Sequence, residues 1–168
     1  MGTKESVGKV LKKAVRILPG VGSYQDKESL RESDKKLRDH ISTQLSYCME
    51  TIERLKTGIS RKGSLSFLKD LDDISRQIDT LSRTITFAAR GYSGVFNSNL
   101  VDEKVLSHLF EFDQSFIKEV DLLSSLVVKI SKKNKELDST MTDEVWDHLL
   151  KIKKLINERE KFLKGPSD

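Results

Sequence analysis

The chain has 168 residues, 36% hydrophobic and 33% charged, which is enough for one core of ordinary size and too little for two independent ones. Two prolines and nine glycines among so many charged residues disfavour a sheet, which needs more turns and β-branched runs, and favour helices. No run approaches the roughly 18 uncharged residues of a spanning helix, the first apolar positions are interleaved with lysines rather than gathered into a signal-peptide core, and one cysteine, Cys48, allows no internal disulfide.

These features point to a cytoplasmic protein in which Cys48 is a small buried apolar side chain.

Residues 1–22 form the first unit, a basic amphipathic helix followed by a hinge. Val7, Val10, Leu11, Ala14, Val15 and Leu18 recur at helical spacing on one face, while Lys9, Lys12, Lys13 and Arg16 crowd the other. The first twenty residues hold 5 of the 30 basic residues and 1 of the 26 acidic ones, so the rest of the chain has 25 of each sign. The entire +4 charge is therefore local. This pattern predicts an interfacial helix whose apolar face enters an anionic membrane surface, with the cations on headgroups. A protein groove with an acidic rim would select the same residues, and the same face could instead dock on the chain's own body. Pro19, Gly20 and Gly22 supply a bend. Met1, Gly2 and Ser6 fit the pattern for N-myristoylation.

Residues 23–165 read as a four-helix bundle. Ser23 and Asp26 resemble a capping box, after which Leu30, Leu37, Ile41, Leu45, Cys48, Ile52, Leu55 and Ile59 mark one long helix, expected to end where Gly58 and Gly63 bracket ISRK. A second helix from about Ser64 carries Phe67, Leu71, Ile74, Ile78, Leu81, Ile85 and Ala88 at alternating spacings of four and three, a seam of coiled-coil type. It stops at ARGYSG. The loop RGYSGVFNSNL then places Tyr92, Val95 and Phe96 among glycines, to plug the bundle end or to assist the opening helix in its contact. The third helix starts near Asn99, with Val105, Leu109, Phe112, Phe116, Val120, Leu123, Val127 and Ile130 in its seam, and ends at KKNKELDST. Leu106, Phe110 and Ile117 make a second apolar stripe beside it, to be covered by a subunit, a partner or the opening helix. The last helix runs from about Thr142 through Val145, Leu149, Ile152, Ile156 and Leu163 to the terminator Gly165 and Pro166. Short connections between amphipathic helices predict an all-α, antiparallel up-down bundle.

No motif for catalysis or a cofactor emerges. A di-iron bundle requires Glu-x-x-His on two helices, yet His40, His108 and His148 are preceded at that distance by Leu37, Val105 and Val145. There is no GxxxxGK[ST], GxGxxG or CxxC, so no enzyme, metal or cofactor is expected. Lys132, Lys133, Lys135 and Lys151, Lys153, Lys154 raise nucleic acid as a third reading, but Glu136, Asp138, Asp143 and Glu144 lie among them, and a solvated turn accounts for the cluster.

The segments LPGVGSYQDKESLRESDKKLR and FAARGYSGVF, about a fifth of the chain, resemble stretches of uncharacterised helical proteins of bacteria and archaea. That resemblance implies a prokaryotic cytoplasm and no assigned activity. The order of an amphipathic helix and a coiled-coil hairpin is similar to phage-shock and ESCRT-III-type membrane-remodelling proteins, from whose longer, open arrangement the short final helix departs. The sequence thus predicts a non-enzymatic adaptor or scaffold at an anionic membrane surface, with a soluble interaction module, as a homodimer or hetero-complex, as the alternative.

Overall fold

A computed structural model describes residues 17, 27–61, 67–87, 103–133 and 138–164. Every described element is a helix: α1 Lys27–Arg61, α2 Leu68–Phe87, α3 Glu103–Lys132 and α4 Ser139–Lys164. None is long and apolar enough to cross a membrane. The periodic apolar residues meet in one core. Leu30, Leu37, Ile41, Leu45, Cys48, Ile52, Leu55 and Ile59 of α1 are all buried, as are Leu71, Ile74, Ile78, Leu81 and Ile85 of α2. From α3 come Leu109, Phe116, Val120, Leu123, Val127 and Ile130, and from α4 Val145, Leu149, Ile152, Ile156 and Leu163.

Packing joins α1 to α2 and α3, and α4 to α3 and α2. The helices therefore follow the order α1, α2, α4, α3 around the core, and α2 and α3, consecutive in the chain, stand across a diagonal. Polar bonds give the relative directions. Arg38 meets Ile85, Ser42 meets Thr86 and Glu53 meets Ser75, so α1 and α2 are antiparallel. Asp113 meets Arg159 and Glu119 meets His148, so α3 and α4 are antiparallel as well.

α1 ends at Arg61, inside the ISRK stretch where the sequence expects its end, with Gly58 within the helix. A helical glycine costs about 1 kcal/mol relative to alanine, but the last turn buries Ile59 to 2% exposure, a gain of roughly 1.5–3 kcal/mol. Burial wins. At its start, α4 begins at Ser139, ahead of Thr142, because Asp138 caps it: the Asp138 carboxylate accepts the Met141 amide at 3.1 Å and the Thr140 hydroxyl. The Thr140 bond, helped by the Met141 amide, holds the Asp138 carboxyl below its ordinary value against an opposing desolvation. The described part of α3 begins at Glu103. The expected helix starts at Ser23, Ser64 and Asn99 lie outside the described residues.

The second stripe on α3 is largely covered. Leu106 is 6% exposed and Ile117 fully buried, while Phe110 is half-buried against the core. Leu106 and Ile117 are therefore covered within the chain rather than open to a subunit.

Candidate functional site

Three charged residues occupy positions where the apolar ladders should place a leucine. In α1 the ladder steps from Leu30 to Leu37, and Asp34 fills the gap; in α3 Asp113 lies between Leu109 and Phe116; in α4 Arg159 lies between Ile156 and Leu163. Asp34, Asp113 and Arg159 are 5%, 0% and 6% exposed. They meet. Arg159 donates from Nε to Asp113 Oδ1 at 2.7 Å and from Nη2 to Asp113 Oδ2 at 3.0 Å, a bidentate pair, and from Nη1 to Asp34 Oδ1 at 2.8 Å. Arg38, one turn after Asp34, donates from Nε to Asp34 Oδ2 at 2.7 Å and from Nη1 to the Ile85 carbonyl at 3.0 Å.

Two carboxylates and two guanidiniums are thereby balanced, and all four helices are tied in one layer. Burying ions costs several kcal/mol each unless they are paired and hydrogen-bonded. The bidentate geometry satisfies that requirement here. Sequence reasoning missed this layer, although two ladders carried its signal, a seven-residue gap filled midway by a charge at Asp34 and at Arg159; in α3 the spacing assigns the seam to Phe112, which is only partly buried, while its neighbour Asp113 takes the core position.

Above Asp34 and Arg38 opens a cleft of about 630 Å³ between α1 and the end of α2, lined by Arg31, Asp34, Lys35, Arg38, Asp39, Ser42 and Thr86. Arg31, Lys35, Arg38 and Ser42 share one face of α1. Across the cleft, the Ser42 and Thr86 hydroxyl oxygens are 3.4 Å apart.

The histidines have structural partners. His40 Nε2 lies 3.0 Å from Asp121 Oδ1, and His148 Nδ1 lies 2.6 Å from Glu119 Oε1, each ring N–H donating to the carboxylate. His108 packs its ring 5.5 Å from that of Phe162. Among the described residues no group of three or more His, Cys, Asp or Glu side chains could hold a metal ion. Cys48 is buried and free. Burial pushes its thiol up to about 12, with the Asp121 charge adding to the rise and a bond with Ser124 opposing it. A thiol in that setting is inert at neutral pH.

The membrane or partner contacts expected from sequence, Val7, Lys9, Val10, Leu11, Lys12, Lys13, Val15, Arg16, Leu18, Tyr92 and Phe96, lie outside the described residues, as does Lys135 of the lysine cluster. From the opening segment, Ile17 is described, and it packs partly buried against the core. Of the other lysines, Lys151 and Lys154 lie 3.9 Å from Glu119 and 3.6 Å from Glu158 respectively.

Compared with known proteins, the chain matches no family model, no curated protein and no solved structure.

Proposed function

We propose that this protein is a non-enzymatic helical adaptor or scaffold that attaches peripherally to an anionic membrane surface through its opening amphipathic helix. The observation that carries this reading is charge: the first twenty residues hold the whole +4 excess of the chain. The described helices support it by neutralising many of their own charges. Lys36 pairs with Glu32, Arg76 with Asp73 and Arg83 with Asp79, each within one helix. Cations beside an anionic leaflet contribute about 1 kcal/mol each and lose it as salt rises.

On this reading Val7, Val10, Leu11, Val15 and Leu18 enter the interface, Lys9, Lys12, Lys13 and Arg16 meet headgroups, and Tyr92 and Phe96 assist. The body is an up-down-up-down bundle in which α2 and α3 stand across a diagonal. The antiparallel pairs α1/α2 and α3/α4 support that topology. It serves at the inner face of the cell membrane.

A second reading is favoured by Ile17, whose packing on the core suits a soluble interaction module with the opening helix docked on its own bundle. On a helix with about 100° per residue, Ile17 stands roughly a quarter turn from the centre of the Val7 to Leu18 face and about 20° from Val10 at its edge.

Co-sedimentation with anionic and neutral vesicles across a salt series separates the two. The adaptor reading expects the full chain to pellet with anionic vesicles, less so as salt rises, and Leu11→Glu to abolish pelleting at an unchanged melting temperature. A Leu11→Glu chain that melts markedly lower, with no vesicle binding by the parent, would place Leu11 in the core and favour the second reading.

A further inference from the structure

We propose that the cleft between α1 and the end of α2 binds a single phosphate group carried by a small molecule, with Arg31 and Lys35 as its electrostatic grip and Ser42 as a hydroxyl donor. Arg31, Lys35, Arg38 and Ser42 follow one another at four, three and four residues, so their side chains descend one face of α1 and line the same opening. The cations there differ in state. Arg38 is held by Asp34 and by the Ile85 carbonyl, which fixes its guanidinium at the floor. Arg31 and Lys35 are exposed and form no ion pair among the described residues, whereas their neighbour Lys36 lies 2.7 Å from Glu32 on the outer face. The unneutralised charge on this part of α1 thus faces the cleft.

The polar lining suits a phosphate oxygen. Ser42 and Thr86 are 3.4 Å apart, long for a bond between hydroxyls. Thr86 already donates to the Ser82 carbonyl at 2.8 Å, so Ser42 is the donor in that long contact, and a phosphate oxygen would compete with the Thr86 oxygen for the Ser42 hydrogen. Asp39, also in the lining, opposes a polyanion and selects a single phosphate over a nucleic-acid backbone. The volume of about 630 Å³ is that of a small-ligand site, roughly 300–1,000 Å³. This cleft belongs to the bundle, and its ligand does not depend on membrane attachment by the opening helix.

The test is an amide chemical-shift titration of the isotopically labelled full chain with inorganic phosphate and glycerol 3-phosphate at constant ionic strength. In parallel, the chain is sedimented with vesicles containing phosphatidic acid or phosphatidylcholine alone. Saturable shifts at residues 31–42 and 84–87 are expected, with at least a tenfold loss of affinity in Arg31→Ala/Lys35→Ala. That variant should melt like the parent, since both side chains are exposed. Lys9→Ala/Lys12→Ala/Lys13→Ala should leave the shifts unchanged. A response to the soluble phosphates identifies a free ligand. A response to phosphatidic acid vesicles alone, lost in Arg31→Ala/Lys35→Ala, identifies a lipid headgroup. Binding that survives that double substitution, or no response to any of the phosphate probes, overturns the assignment.

Discussion

Arg159 donates two hydrogen bonds, of 2.7 and 3.0 Å, to the carboxylate of Asp113, a residue 46 positions earlier and fully buried. Removing one member of a buried pair leaves the other charge uncompensated, at a cost of about 3–5 kcal/mol, whereas replacing both by apolar groups of similar size is often close to neutral. Arg159→Met should therefore lower the unfolding free energy in urea by that amount, and Asp113→Leu/Arg159→Met should recover most of the loss. In the double variant Asp34 keeps Arg38 as a partner. A double variant less stable than Arg159→Met would mean that the pair contributes net stability beyond register.

Cys48 offers a test of core closure. With its thiol pushed up to about 12 by burial, its thiolate fraction at pH 8 is on the order of one in ten thousand. A disulfide reagent at pH 8 should react with the native chain orders of magnitude more slowly than with the chain in denaturant. Prompt stoichiometric labelling of native protein would show that the α1/α3 layer opens readily.

Gly58 sits within α1, where alanine carries less backbone entropy cost. Gly58→Ala should raise stability by about 0.5–1 kcal/mol in equilibrium unfolding. A decrease would mean that a neighbour approaches too closely for a Cβ atom.

The Asp138 cap predicts a pH dependence with a definite sign. Its carboxyl is held below the ordinary value of 3.8 in the folded chain. A depressed folded pKa contributes stability that is present above the unfolded value and lost as pH falls through the folded one. The stability difference between the parent and Asp138→Ala should thus be constant at neutral pH and shrink below about pH 4. Thermal melts from pH 7 to pH 2.5 read this directly, and a difference that persists at the acid end would assign the effect to helix geometry rather than to the ionised cap.

The helices, their apolar seams and the basic start were legible in the sequence, because periodicity is a property of a residue and its neighbours three and four positions away. Leu45, Ile78, Val120 and Ile152 occupy the buried positions that this spacing assigns. Even the polar layer left a trace, as charges at Asp34 and Arg159 interrupting two seams, while the third, Asp113, stood hidden beside Phe112. What those charges do was decided only in three dimensions: Arg159 reaches Asp34 across 125 positions, and no local rule says which buried acid meets which base. The order of helices around the core belongs to the same class. Which helices adjoin α3, and hence whether Leu106 and Ile117 lie open or covered, depends on how whole faces are paired, since the free energy of burial is gained between helices rather than along one.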